Sequence, residues 1–274
     1  MRKFIIAALQ LNSNDNKKQN LRNVITLIEE AAERKAKIVA MPENMNYVGV
    51  EKESETIPGY TTNLLAEQAV KYNIYIHCGS ISEDSKTGRP YNTTVFINPK
   101  GEIICKYRKL HMFDVDIKEG PSFRESDNKT PGSEIVTIET EYGNLGFSIC
   151  YDIRFPEMYR IMALNGAQII FAPACFLMNT GKDHWEPLLR ARAIENTCYI
   201  VAPAQIGIKP SYQAYGKTLI VDPWGNVIAK AMDKPCVVTS EIDLDYLENI
   251  RKQVPSLKNR RSDIYDLKKV IKNN

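Results

Sequence analysis

The chain reads as an α/β protein with mixed sheets and helices in layers, on three observations. Short β-rich runs alternate with amphipathic helical stretches along the whole length. Several neighbouring runs are joined by turns of hairpin type, so antiparallel pairs stand beside any parallel ones. No Gly-, Ser- or Pro-rich linker divides the 274 residues. One domain is therefore expected over 1–274, with a core from about residue 4 to 265 and a basic C-terminal tail.

Each element has its own signal. Residues 4–11 form a first strand; Gln10 and Asn12 interrupt its apolar run and no small-residue cleavage site follows, so it does not read as a signal peptide. Residues 16–35 form a helix, because Leu21, Val24, Ile25, Ile28, Ala31 and Ala32 recur at helical spacing with Lys and Glu opposite. Residues 37–41 form a strand that stops at Pro42-Glu43. A second helix covers 61–72, with Leu64, Leu65 and Ala69 on one side. Strands follow at 74–82, 92–98 and 102–106, the last two joined by the turn Pro99-Lys100-Gly101.

The second half repeats the theme. Strands at 135–139 and 145–150 flank Tyr142-Gly143-Asn144, and the helix 156–165 is closed by Gly166. A strand at 167–172 precedes a helix at 183–196. Strands at 198–205, 217–221 and 227–231 follow, the last two linked by Asp222-Pro223-Trp224-Gly225-Asn226. A strand at 237–242 and a short helix at 244–253 complete the pattern. The basic segment 258–272 is expected outside the core or against a partner, and residues 268–274 carry no assigned role.

Composition narrows the function classes. The chain is 43% hydrophobic and 25% charged with a net charge of +3, which argues against a nucleic-acid or membrane partner. No apolar stretch approaches the ~20 residues needed to span a bilayer. The six cysteines (Cys78, Cys105, Cys150, Cys175, Cys198 and Cys236) are dispersed, mostly within apolar runs. Reduced core thiols in a cytoplasmic protein fit them better than a disulfide framework. Three separated histidines, His77, His111 and His184, give no zinc pattern, and no metal is expected.

Cys150 carries the most information. It ends the apolar run Leu145-Gly146-Phe147-Ser148-Ile149-Cys150, and a sharp change of pattern follows before the helix at 156. A thiol at the tip of a buried strand is held rigidly, and the free N–H groups beyond it can stabilise a thiolate or a developing oxyanion. Three charged residues occupy comparable places. Glu43 follows the strand that Pro42 stops, Lys109 lies beyond the strand at 102–106, and Glu125 sits in the irregular stretch Pro121-Ser122-Phe123-Arg124-Glu125-Ser126. Singly, each reads as a solvated charge or an inert core thiol. Together, an acid, an ammonium and a thiol at strand ends outline a reactive centre.

The segments Pro42-Glu43-Asn44, Tyr107-Arg108-Lys109-Leu110-His111, and Gly146-Phe147-Ser148-Ile149-Cys150-Tyr151-Asp152-Ile153-Arg154-Phe155-Pro156-Glu157 resemble the three signatures of the nitrilase superfamily of carbon–nitrogen hydrolases. The similarity runs from about Phe4 to about Tyr265 and takes in Leu188-Leu189-Arg190-Ala191-Arg192 and Arg260-Arg261-Ser262-Asp263. It implies a four-layer αββα sandwich, a homodimer, and no metal or organic cofactor. It also implies Cys150 as nucleophile, Glu43 as general base, Lys109 as oxyanion stabiliser together with the Tyr151 N–H, and Glu125 as a second acid that positions the lysine.

Arg154 reads two ways on spacing: a guanidinium for a substrate carboxylate, or a structural ion pair with Asp152 or Glu157. The resemblance to omega-amidases and deaminated glutathione amidases implies the first, with Thr180 beside it and Phe176 as an aromatic wall. Tyr47 stands earlier than the corresponding aromatic of the omega-amidases and is expected to line the pocket differently. Arg190 and Arg192 read as helix-face charges at a dimer contact, and His184 and Trp185 as supports of their loop. The leading expectation is a cysteine-dependent hydrolase, through a thioester, of the terminal amide of small carboxylic acids, with water as co-substrate and ammonia released. Deaminated glutathione amidase is the alternative, with an N-carbamoyl amine hydrolase or nitrilase behind it. From another class, an inactive binding subunit would keep the fold and the dimer surface.

Overall fold

The computed structural model describes residues 2–86, 88–117 and 122–267. Its first half runs β1 (Lys3–Gln10), α1 (Lys17–Glu33), β2 (Ala36–Ala40), α2 (Tyr60–Tyr72), β3 (Tyr75–His77), β4 (Ile81–Glu83), β5 (Tyr91–Ile97) and β6 (Ile103–Arg108). A small hairpin, β7 (Asp114–Asp116) and β8 (Ser122–Arg124), leads to β9 (Thr137–Thr140), β10 (Gly143–Phe147), α3 (Pro156–Leu164) and β11 (Ile169–Phe171). Then come α4 (Met178–Asn196), β12 (Tyr199–Ala202), a second hairpin of β13 (Ile206–Ile208) and β14 (Gln213–Tyr215), β15 (Leu219–Val221), β16 (Val227–Lys230), β17 (Cys236–Asp243) and α5 (Leu244–Gln253).

Alternation along β1 sets the layering. Successive side chains of a strand face opposite ways. Phe4, Ile6 and Ala8 therefore enter one apolar cluster with Phe96, Phe147 and Phe171, while Ala7 and Leu9 enter another with Leu21, Val24 and Ile28 of α1. The first sheet has the order β17-β1-β2-β3-β5-β4, with β6 also on β5; the second runs β16-β15-β12-β11-β10-β9. Helices α1 and α2 cover the outer face of the first sheet, and α3 and α4 that of the second through Met158, Met162, Trp185 and Leu189. The result is the αββα sandwich.

Three expectations change. The run 74–82 is two strands, because Gly79 has φ +66° and lies so close to the end of β2 that a Cβ would sit 2.0 Å from the Pro42 carbonyl oxygen. The two halves share the first sheet, where β17 returns to pair antiparallel with β1 from Lys3↔Asp243 to Gln10↔Cys236. The helix expected from 183 begins at Met178, with no side-chain cap at Leu177 and with Pro187 inside it. Its first turn forms because Gly181 packs under the Tyr215 ring, where a Cβ would clash at 2.5 Å. Arg192, read as a surface charge, is 5% exposed and donates to Ile153 O at 2.8 Å, bracing the turn that carries Cys150.

The tail lies outside the core as far as residue 267, with Arg261 paired to Asp263 at 2.6 Å. Residues 268–274 fall outside the described residues. Among the described residues no helix is long and apolar enough to cross a membrane.

Candidate active site

Strand ends of both sheets converge on one cavity of about 460 Å³. Beyond β2 the chain turns at once, and the Asn44 N–H is held by Ser80 Oγ at 3.0 Å, which keeps Glu43 at the sheet end, 4% exposed. Beyond β6, Lys109 is fixed by its N–H to Asn92 O (2.9 Å) and is 2% exposed. Glu125 lies in a 3-10 turn directly after β8, in the segment read from sequence as irregular. Cys150 starts another 3-10 turn past β10, with φ +49° and its N–H on Pro173 O at 2.8 Å. A left-handed non-glycine residue is strained, and here the strain aims the thiol into the cavity instead of along the sheet.

The side chains form one network. Lys109 Nζ donates to Glu43 Oε1 at 3.1 Å and to Glu125 Oε2 at 2.8 Å. Glu43 also accepts from Asn92 Nδ2 at 2.8 Å and, on its other oxygen, from the Cys175 N–H at 2.9 Å. Glu125 Oε2 further accepts from the Phe113 N–H at 2.7 Å. Burial alone would lower the Lys109 pKa, but Glu125 and Glu43 outweigh it and hold the ammonium protonated well above its usual range. Burial pushes the Cys150 thiol well up, and the Glu43 charge adds to this, against the opposing pull of Lys109 and the Cys175 N–H. The thiol is therefore held protonated, with the Glu43 carboxylate in hydrogen-bonding reach of it.

Phe176 and Tyr151 line the same cavity, as does Thr180, whose buried Oγ1 has no hydrogen-bond partner among the described residues. Thr180 gains this position from the early start of α4. Phe176 is backed by the buried Trp185 ring at 5.1 Å, and Trp185 Nε1 donates to Lys217 O at 2.9 Å. Arg154 stands at the outer edge of this wall, its guanidinium 5.3 Å from the Phe176 ring and 5.8 Å from that of Tyr151. Neither expected ion pair forms. Asp152 is taken by Tyr107, His111 and the Ile149 N–H, and Arg154 Nη1 meets only the exposed His184 Nδ1 at 3.3 Å among the described residues.

Tyr47 is a correction. It lines a separate surface depression with Val50, Ile208 and Pro210. Asn46 is drawn inward between Thr61 Oγ1 and Asn20 Nδ2 (3.1 and 3.0 Å), and this swings the next residue away from the cavity. The aromatic at that side of the cavity is Tyr212, its hydroxyl 2.9 Å from Cys175 Sγ. Tyr212, Asn92 and Lys129 were not legible as site residues, since none belongs to a local pattern that points inward. Among the described residues no group of three or more His, Cys, Asp or Glu side chains is arranged to hold a metal.

A buried ammonium between two carboxylates, beside a protonated thiol at the end of an αββα sandwich, defines a hydrolase of amide-type carbon–nitrogen bonds. Residues 5–252 match the model of the carbon-nitrogen hydrolase family, and the chain belongs to that family. It is similar to the deaminated glutathione amidase of Synechocystis, 39% identical over 95% of this chain and 99% of that protein. It is similar also to human omega-amidase NIT2, 40% identical over 97% of this chain and 98% of that protein. Among solved structures, the Caenorhabditis elegans NitFhit protein superposes with a TM-score of 0.88 at 36% identity, covering 97% of this chain and 67% of that one. Saccharomyces cerevisiae Nit3, of the nitrilase superfamily, gives 0.85 at 34% identity over 95% and 97%. The protein is an amidase of the omega-amidase-like group, acting on carbon–nitrogen bonds other than peptide bonds.

Proposed function

We propose that this amidase hydrolyses the terminal amide of a small carboxylic acid, and that Cys150, Glu43, Lys109 and Glu125 perform the chemistry. Glu43 takes the Sγ proton as sulfur attacks the amide carbon. The tetrahedral oxyanion forms between the Lys109 ammonium and the Tyr151 N–H, each such donor contributing on the order of 3 kcal/mol. Glu43 then delivers the proton to nitrogen, ammonia leaves, and a Cys150 thioester remains. Water enters, Glu43 accepts its proton, and the collapse returns the thiol and the free acid. Glu125 keeps the lysine charged and aimed throughout.

The substrate class rests on one observation: beside the cavity that holds Cys150 stand a guanidinium without an ion pair and a buried Thr180 hydroxyl without a partner among the described residues. An unpaired buried hydroxyl is costly, a partly exposed guanidinium is available to an anion, and a bound carboxylate would satisfy both. The similarity to the human omega-amidase supports a dicarboxylic acid monoamide such as a 2-oxo acid amide. The similarity to the Synechocystis enzyme supports deaminated glutathione as the second reading. We also propose a cytoplasmic homodimer, with the exposed Ile194 (50%) and Trp224 (53%) at the contact.

Ammonia release from 2-oxoglutaramate, succinamate, deaminated glutathione, an N-carbamoyl amine and an uncharged aliphatic amide tests the reading, with Cys150→Ala beside the parent. Release from the carboxylate-bearing amides, abolished in the variant, is expected. Release from the uncharged amide or carbamoyl compound alone would refute the substrate class.

A further inference from the structure

We propose that Lys129 is a specificity-determining residue of this cavity, its ammonium offsetting the surplus negative charge of the Glu43–Lys109–Glu125 set so that a substrate bearing a carboxylate can enter. The inference rests on the substrate class proposed above and adds a second cation to it, apart from Arg154.

The charges set the problem. Two carboxylates face one ammonium in the network, leaving one surplus negative charge in a mostly buried site. A substrate carboxylate entering the same 460 Å³ cavity meets that charge at low effective dielectric, where repulsion is poorly screened. Lys129 lines the cavity wall directly after the turn that carries Glu125. Its backbone is pinned from both sides, by its own N–H on Glu125 O at 2.8 Å and by the Thr130 N–H on Pro90 O at 3.0 Å. The side chain reaches back to Ser82 Oγ of β4, and among the described residues no carboxylate forms an ion pair with it.

The surrounding charges are otherwise engaged. Glu83, next to Ser82, is held by Lys106 and Arg108 at 2.9 and 2.8 Å. Arg124, on the same wall, is tied to Asp116 at 2.6 Å. Burial brings the Lys129 pKa down to about 8, while Glu125 and Glu43 favour its charge and Lys109 opposes it. A half-buried ammonium with one hydroxyl partner is a costly feature for packing alone, and the cavity whose wall it lines is where an anion would complete it.

The test is the selectivity ratio: kcat/KM for a carboxylate-bearing terminal amide over kcat/KM for the uncharged amide of equal length. It is measured from pH 6.5 to 9.5 on the parent, Lys129→Met and Lys129→Arg. In Lys129→Met the ratio is expected to fall about tenfold, mostly through KM, whereas Lys129→Arg keeps most of it. In the parent the ratio should decline as pH rises through about 8, and in Lys129→Met this decline should vanish. An unchanged ratio and pH profile in Lys129→Met would overturn the role of Lys129 alone. A parent that turns over only the uncharged amide would overturn the substrate reading and this inference together. If Lys129→Met does not fold, Lys129→Gln supplies the same comparison.

Discussion

The Tyr107 hydroxyl donates a 2.6 Å hydrogen bond to the fully buried Asp152 carboxylate, and this contact joins the segment bearing Lys109 to the segment bearing Cys150. The same carboxylate accepts from the His111 N–H at 3.1 Å, from His111 Nδ1 at 2.7 Å and from the Ile149 N–H at 2.8 Å. Tyr107 and His111 bracket the lysine; Ile149 and Asp152 bracket the thiol. Two loops from different sheets thus share one anion as a strut, and the ammonium-to-sulfur geometry depends on it.

Asp152→Asn should therefore place an amide N–H against existing donors, lower stability by about 2–4 kcal/mol and reduce kcat by more than tenfold. Tyr107→Phe, which removes one bond and leaves the anion its other donors, should cost about 1 kcal/mol. Urea unfolding and steady-state rates check both, and an Asp152→Asn enzyme of parental stability and rate would remove the strut.

For Glu43→Gln, the two effects run in opposite directions. Turnover should fall about 10²–10⁴-fold with the loss of the base. The Cys150 thiol should meanwhile become more acidic, because the Glu43 charge raises its pKa and Lys109, then less compensated, lowers it. The pH midpoint of iodoacetamide labelling at Cys150 should shift downward as amidase activity collapses. A midpoint that moves up would contradict Glu43 as the adjacent anion.

Arg154→Leu should lower the preference for a carboxylate-bearing over an uncharged amide about 10- to 100-fold, the scale of a charge-assisted hydrogen bond of roughly 1.5–3 kcal/mol. Thr180→Val should act in the same direction, by less. Equal losses on both amides would instead mean that these residues shape the wall without reading the anion.

Acid stability carries its own signature. His77 packs against both Phe147 and Phe171, and burial lowers its pKa to about 3 from 6.5. The unfolded chain binds a proton that the folded chain refuses between those values. Stability is thus intact above pH 6.5 and is lost as pH falls toward 3, by up to about 1.4 kcal/mol per pH unit. Glu83 adds a lower window: burial opposes its charge, but Arg108 and Lys106 prevail and bring it to about 2, so stability present above pH 4.5 is lost below it. Denaturant titrations of the parent and His77→Leu from pH 7 to 5 isolate the first window. The same slope in both would discount His77.

Much of this protein is local in origin. The helix α1 carries its apolar stripe and its Asn16 cap in consecutive residues, and the end of β2 is written in Pro42. Those signals act within a few residues, so periodicity and turn chemistry reveal them without the fold. Cys150, Glu43 and Lys109 were legible because each follows its own strand, and a resemblance in three ordered segments tied them together.

Only the tertiary structure decided what those residues face. Gly79 bends the chain beside the end of β2 because the Pro42 carbonyl lies there, and α4 begins at Met178 because Tyr215 covers Gly181. Asn46 turns Tyr47 out of the site by bonding to α1 and α2, and Tyr212 comes from another part of the chain to that side of the cavity. Lys129 and Asp152 owe their importance to partners that sit 47 and 45 positions away at Ser82 and Tyr107. The amino-acid sequence by itself determined which segments become strands and helices and which chemical groups stand at their ends, since these follow from short-range backbone preference and side-chain spacing. Packing decided which of those groups share a cavity and how each is charged, because burial and electrostatic pairing depend on neighbours that chain order does not bring together.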